Sequence, residues 1–144
     1  MNTFTESQRF RQGWVWLFVA FSALITLGAL LSDPVTWHVV IPFVFIVVLL
    51  YVWRLDTRLD AEGIHYRVFP ILPWRTIPWS AIQLASVRVY GFVGYGIRWG
   101  LEGWVYNVAG RKGLHINYLN GHHITIGTQR PEEIQHFLEQ LHVP

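Results

Sequence analysis

The chain has 144 residues, of which 52% are hydrophobic and 14% charged, against roughly 45–50% and about 25% in an ordinary soluble domain. Its formal net charge is only +2 and its longest basic run is Arg111-Lys112, which argues against nucleic-acid binding because that needs clustered cations. The absence of cysteine excludes disulfides, thiolate metal sites and thiol nucleophiles, and it leaves the redox compartment open.

The N-terminal part of the chain is predicted to be a membrane hairpin. Residues 1–13 form a short N-terminal segment, and uncharged runs follow at 14–31 and 35–53. As helices these runs would each span roughly 27 Å, close to the hydrocarbon thickness of a bilayer. The short link between them predicts a transmembrane helical hairpin over 14–53. A cleaved signal peptide is the alternative, but a second span follows at once and no clear cleavage site is present.

Charges and aromatic residues at the ends of the two runs predict the orientation of the hairpin. The connecting turn carries no cation, so the positive-inside rule places both termini in the cytoplasm. The cations that support this orientation are Arg9, Arg11, Arg54 and Arg58. The aromatic side chains expected at the membrane interfaces are Trp14, Trp16, Trp37, Tyr51 and Trp53. Pro42 predicts a kink in the second helix, and His38 is close enough to the outer boundary to be interfacial rather than a proton relay.

From Arg54 onward, short β-prone runs separated by turn signals predict a β domain over 54–144. About seven antiparallel strands are expected in a barrel or sandwich, near 55–60, 64–69, 74–77, 83–90, 104–108, 113–118 and 122–126. A C-terminal helix over 131–142 follows, and its apolar stripe is expected to cover an open end of the sheet. The stripe consists of Ile134, Phe137, Leu138 and Leu141.

The turn at Asn120-Gly121 allows a finer prediction. A two-residue turn would split the isoleucines between the two faces of the hairpin. A three-residue loop over 119–121, with Gly121 in the left-handed conformation, pairs Ile116 with Ile124 and Leu114 with Ile126, and so keeps them on one face. We therefore expect the three-residue loop.

No constellation for catalysis or metal binding emerges from the sequence. The predicted register puts His115 and His123 on the outer face of the hairpin, but two imidazoles are too few for a zinc site, so a solvated strand face is expected. Ser80 lies outside any Gly-x-Ser-x-Gly elbow. The chain is therefore predicted to be no enzyme, with no cofactor, metal or small-molecule substrate.

The glycine-rich stretch 94–107 has the wrong spacing and context for a nucleotide-binding loop. Two interpretations remain open. In one, the glycines bend the backbone while Trp104 and Tyr106 fill the core. In the other, three side chains form a candidate interaction surface: Tyr95, Arg98 and Trp99.

Several short runs carry a resemblance to a known family. They are Ile77-Pro-Trp-Ser-Ala-Ile82, Gly96-Ile-Arg98, Tyr106-Asn107 with Gly110 and Gly113, and Ile126-Gly-Thr-Gln-Arg-Pro-Glu-Glu133. With them, residues 55–141 resemble the pleckstrin-homology-like (PH-like) domains of small bacterial membrane proteins with two N-terminal helices. The resemblance implies a strongly bent seven-stranded sheet plugged by a C-terminal helix, in a protein of the bacterial inner membrane.

The resemblance also bears on function. Eukaryotic domains of this fold often hold phosphoinositide phosphates with Lys and Arg around the loop after the first strand. Here that loop is the acidic Asp60-Ala-Glu-Gly63, which does not favour such a site. Two hypotheses follow: a membrane-anchored scaffold whose PH-like domain binds a partner protein or a second copy, and a domain that reads the lipid surface.

Overall fold

The computed structural model describes residues 3–9, 11–33, 37–89, 96–100, 103–108 and 110–141. These residues form three helices and two β-sheets. The helices are α1 (Gly13–Ser32), α2 (Trp37–Val52) and α3 (Pro131–Gln140). The strands are β1 (Phe4–Arg9), β2 (Arg54–Leu59), β3 (Gly63–Phe69), β4 (Leu72–Pro78), β5 (Ile82–Val89), β6 (Gly96–Gly100), β7 (Gly103–Asn107), β8 (Lys112–Tyr118) and β9 (His123–Gly127).

The strands divide into a four-stranded sheet A, in the order β1-β2-β3-β4, and a five-stranded sheet B, in the order β5-β8-β9-β7-β6. All seven predicted strands are present, together with two that were not predicted, β1 and β6. Of the two predicted alternatives, a barrel or a sandwich, the closed barrel is not formed, because no ladder joins the two sheets in the described part of the chain. The all-antiparallel expectation is also wrong at one place, since β7 and β9 run parallel.

Strand β1 comes from the segment that was expected only to precede the first helix. It alternates buried and exposed residues and pairs with β2 along its whole length, from Phe4 opposite Leu59 to Arg9 opposite Arg54. Its buried Glu6 reaches the junction between β9 and α3, where it accepts hydrogen bonds from the Thr128 hydroxyl (2.6 Å) and the Gln129 backbone N–H (2.8 Å). The β1 strand therefore ties sheet A to sheet B.

One hydrophobic core lies between the sheets and under α3. Its fully buried members include Leu55, Leu59, Ile64, Leu114, Ile116, Ile126 and Ile134. Helix α3 contacts β5, β8 and β1 and buries Ile134, Phe137 and Leu138, which confirms the predicted covering helix. Leu141, expected in the same stripe, is exposed just beyond the end of the helix.

The β8–β9 hairpin has the predicted register. Ile116 lies opposite Ile124 and Leu114 opposite Ile126, and the Tyr118 N–H donates to the His122 carbonyl at 2.9 Å. Gly121 has a φ of +81°, which is the conformation that the three-residue loop requires. The side-chain alternation therefore identified the loop length correctly.

The first two helices contact each other, with the Trp16 and Tyr51 rings T-shaped at 6.3 Å. None of their described side chains is buried. In the described part of the chain, Gly13–Ser32 is the helix long and apolar enough to cross a membrane, a property that an N-terminal signal sequence shares. Trp37–Val52 is apolar but has only 16 residues, and the predicted link at 34–36 lies outside the described residues.

Removing the Glu6 carboxylate tests the attachment of β1. Glu6→Ala leaves the Thr128 hydroxyl and the Gln129 N–H without their acceptor, so we expect a loss of about 1–3 kcal/mol in the free energy of unfolding. Denaturant unfolding of the purified chain measures it. Thr5→Ala, on the exposed face of the same strand, is the matched control and should change stability by less than about 0.5 kcal/mol. Equal losses for the two variants would contradict the proposed tie.

Candidate functional site

The inner face of β6 and β7 carries apolar side chains whose exposure increases from one end of the strand pair to the other. Ile97 lies directly opposite Tyr106, and Trp99 directly opposite Trp104. Because side chains alternate along a strand, all four point to the same face. Tyr106 is buried, whereas Trp99 and Trp104 are 69% and 46% exposed and meet in a T-shaped contact at 5.2 Å. The face therefore runs from the core to an open aromatic rim.

Sheet A supplies the facing wall. Tyr66 of β3 lies opposite Arg75 of β4. Leu72, also of β4, lies opposite Val68, nearer the β3–β4 turn. The rings of Tyr66 and Tyr106 are 5.2 Å apart, so they join the two sheets at the floor. The β8–β9 hairpin closes the third side through Tyr118, the loop after it, and Ile124.

These walls enclose a cleft of about 850 Å³, in the range of roughly 300–1,000 Å³ usual for ligand sites. We call it the aromatic cleft. It lies where the barrel does not close, between sheet-edge strand β4 and sheet-edge strand β6. Helix α3 covers the β1 and β5 side instead. In the described part of the chain, therefore, a helix covers one gap between the sheets and no element covers the other.

The protonation state of two tyrosines and the charge of one arginine describe the electrostatics of the aromatic cleft. Burial, together with the neighbouring Tyr106 hydroxyl, raises the pKa of Tyr66 well above its usual value. Burial also raises the pKa of Tyr118, and in both cases Arg75 acts in the opposite direction. Both tyrosines are therefore neutral hydrogen-bonding groups at physiological pH. Among the described lining residues Arg75 is the cation, and no carboxylate lines the cleft.

A glycine allows the close packing at the end of the cleft. Gly103, the first residue of β7, has a φ of +113°, and a Cβ there would lie 2.3 Å from the His123 carbonyl oxygen. No other residue fits this position without moving the backbone of one strand. Gly103 therefore sets how closely β7 approaches β9 beside Trp104.

The structure separates the residues of the predicted interaction surface. Trp99 is exposed at the rim of the cleft, but Arg98 lies opposite Val105 and so points to the other face of the strand. Tyr95 lies outside the described residues. The other interpretation was that Trp104 and Tyr106 fill the core. It holds for Tyr106, which is in the core, and not for Trp104, which is half exposed at the rim.

The lining residues that were not found from the sequence include Tyr66, Leu72, Arg75 and Tyr118. The strands that carry them were predicted, and an alternation argument like that used for β8–β9 could have placed Tyr66 on an inner face. Strand β6 was not predicted, and without it the sequence does not indicate that the two sheets separate beside β4.

The two histidines of the β8–β9 face are neighbours, as predicted, with stacked rings at 5.8 Å. His115 Nδ1 shares a hydrogen bond with the Thr125 hydroxyl, and His123 Nδ1 one with Asn117. The expected solvated face is wrong at His115 and Thr125, which are both buried. The pair thus belongs partly to the packed interior.

Three possible metal ligands meet at the β2–β3 turn: Asp60, Glu62 and His65. The hydrogen bonds within the turn explain why these three side chains lie close together. Asp60 accepts hydrogen bonds from the backbone N–H groups of Glu62 and Gly63 and shares one with His65. Although desolvation acts to raise the pKa of Asp60, these hydrogen bonds lower it below its usual value. Arg58 pairs with the second carboxylate oxygen at 3.0 Å.

Trp14 and Trp37 are exposed on their helices. Trp53, which was also expected at a membrane interface, is partly buried and packs against the core of the sheets. Arg9, Arg11 and Arg58 are exposed and Arg54 is half-buried.

Comparison with protein-family models, curated proteins and solved structures gives no match for this chain. The resemblance to PH-like domains therefore stays a prediction.

A pair of glycine variants tests the cleft wall. Gly103→Ala must move the backbone at His123, so we expect a loss of about 1–3 kcal/mol in addition to the strain of a positive φ. Gly96→Ala is the control, since its φ is +100° but nothing lies within 4 Å of its Cβ. Unfolding measurements should rank Gly103→Ala as clearly less stable, and the reverse order would contradict the close approach.

Alkaline titration tests the floor of the cleft. As pH rises past the usual tyrosine pKa of 10.0, the unfolded chain releases the Tyr66 proton while the folded chain keeps it. Stability should therefore fall with rising pH above that value. Tyr66→Phe removes this contribution, so its stability should fall less steeply between about pH 9 and about pH 11. Parallel slopes would show that Tyr66 is not shielded.

Proposed function

We propose that this protein is a non-catalytic binding module anchored in the bacterial inner membrane, with a cytoplasmic PH-like domain that receives an extended segment of a partner protein in the aromatic cleft. The observation that carries the proposal is the cleft itself. It is large and aromatic, and no described helix covers it, unlike the side of the sheets at β1 and β5, which α3 covers. In this proposal the PH-like unit is residues 54–144, with β1 completing its sheet A, and the α1–α2 pair is the anchor.

Membrane anchoring is supported by the exposure of the helices. Large apolar side chains point outward from α1 and α2 on all sides, and neither helix buries a described residue. Contiguous apolar surface of this extent is what a bilayer covers. The arginines at the sheet ends of both helices, Arg9 and Arg54, favour the cytoplasm for the β domain under the positive-inside rule.

A protein segment is favoured over a small ligand by the strand edges. Strands β4 and β6 are each paired on one side in the described part of the chain. An added strand could take up backbone hydrogen bonds along β6 while its alternate side chains enter the aromatic cleft. Trp99 and Trp104 form an exposed aromatic rim, the kind of surface that anchors interface side chains.

The charge of the cleft defines the partner segment further. Among the described residues no carboxylate pairs with Arg75. A segment that fits is therefore extended and apolar, with an acidic side chain placed to meet Arg75. A second copy of this chain is the homo-oligomeric form of the same proposal, if one of its own acidic segments is the occupant.

Photo-crosslinking in native membranes tests the proposal. A photoreactive residue at Trp99 should yield a discrete adduct, whereas one at the exposed Gln135 of α3 should not. Arg75→Glu, which repels the acidic side chain, and Trp104→Ala, which removes an anchor expected to contribute about 2 kcal/mol or more, should each abolish the adduct at position 99. An adduct whose yield neither variant changes would refute binding in the cleft, and the adduct mass distinguishes a second copy from another protein.

A further inference from the structure

Both N-terminal helices leave the β domain at the same end of the same strand pair. Strand β1 ends at Arg9 and α1 begins at Gly13, while α2 ends at Val52 and β2 begins at Arg54. Because Arg9 lies directly opposite Arg54 in the antiparallel ladder, the two chain crossings are side by side. This end of sheet A is therefore the one closest to whatever surrounds the helices.

The β3–β4 turn reaches the same end. Phe69 lies opposite Arg54, and the chain runs on through residue 71 before Leu72 returns opposite Val68. At about 3.3 Å per residue, Arg54 is about 7 Å along the strand from the end of α2. The tip of the turn thus projects beside the base of the helices.

The side chains of this turn, and that of Trp74 in the adjoining strand β4, are unusual for an exposed tip. Phe69 is 41% exposed, Ile71 51% and Trp74 49%, whereas turns are ordinarily built from Gly, Pro, Asn, Asp and Ser. Two arginines lie over the rings: Arg67 is 4.8 Å from the centre of Trp74, and Arg54 is 5.1 Å from that of Phe69. We call these five residues the helix-side corner.

The helix-side corner carries a net positive charge. Arg54 and Arg67 share one carboxylate, Asp56, at 3.2 Å and 2.6 Å. Arg9 adds a like charge directly across the ladder from Arg54, and two like charges in facing positions destabilise a strand pair. Aromatic rings and arginines side by side are the composition that suits the boundary between lipid headgroups and acyl chains.

We propose that the helix-side corner is a third membrane contact, in which Phe69, Ile71 and Trp74 enter the bilayer interface and the arginines meet lipid phosphates. The inference rests on the membrane anchoring proposed above and adds a lipid-binding surface of the β domain itself. It is separate from the acidic β2–β3 turn at the other end of sheet A, about 17 Å along β2 from Arg54. Lipid, rather than a soluble partner, is the proposed occupant because Arg54 of the corner lies two residues after the end of α2, and both helices expose large apolar side chains.

The cysteine-free chain permits a direct test by single labelling. Three full-length variants, Ile71→Cys, Ala61→Cys and Ile25→Cys, each receive an environment-sensitive fluorophore and are reconstituted into vesicles of phosphatidylcholine and phosphatidylglycerol. Position 71 is the tip of the corner, position 61 is the exposed turn at the far end of sheet A, and position 25 is exposed in the middle of α1. Quenching is then measured with nitroxide-labelled lipid and with aqueous iodide.

The expected result is lipid-nitroxide quenching at positions 71 and 25 that is several-fold stronger than at position 61, with iodide acting in the opposite order. Quenching by lipid at 25 but not at 71 would overturn the third contact while leaving the anchor intact. Absence of lipid quenching at 25 would overturn the anchor and the contact together. Protection of 71 from iodide without lipid quenching would show that protein covers the corner, and would also overturn the inference.

Discussion

The pairing of β1 with β2 is the constraint on which the rest of this structure depends. It joins strands whose facing residues Ser7 and Asp56 are separated by the whole α1–α2 pair, and the Ser7 hydroxyl donates to the Asp56 carboxylate at 2.5 Å. The same strand reaches sheet B through the hydrogen bonds of Glu6 and of the buried Gln8, whose side-chain amide donates to the Gly127 carbonyl at 2.7 Å. Because α1 begins four residues after the end of β1 and β2 begins two residues after the end of α2, the bases of both helices lie next to this one ladder.

A second consequence concerns the sheets themselves. With β1 added to sheet A and β6 to sheet B, the sheets present four edges. Helix α3 covers the side at β1 and β5, where it buries Phe137 and its neighbours, and the side at β4 and β6 holds the aromatic cleft. Exposed edges invite pairing with another chain unless something protects them. The proposed partner segment would supply here what α3 supplies on the opposite side.

The two ends of sheet A differ in chemistry, and the difference fits the proposed function. At the helix side, aromatic rings lie under arginines around Phe69; at the far side, Asp60 organises an acidic turn with Arg58 and His65. An acidic turn is repelled by anionic headgroups, whereas an arginine and aromatic corner is attracted to them. Together these ends would orient the domain and hold the cleft mouth at a defined height above the bilayer.

The sequence by itself determined the features that depend on near neighbours along the chain. The apolar runs of α1 and α2, the stripe of α3 at Ile134 and Phe137, and the β8–β9 loop at Gly121 all follow from local periodicity and a single backbone requirement. Only the tertiary structure decided that residues 4–9 form a strand, that the barrel stays open, and that Trp104 lies at a rim while Tyr106 lies in the core. Those outcomes depend on ladders between distant segments, such as β1 with β2, and on which surfaces the other sheet leaves uncovered. Trp104 and Tyr106 lie on the same face of one strand, so the local sequence carries no signal that separates rim from core.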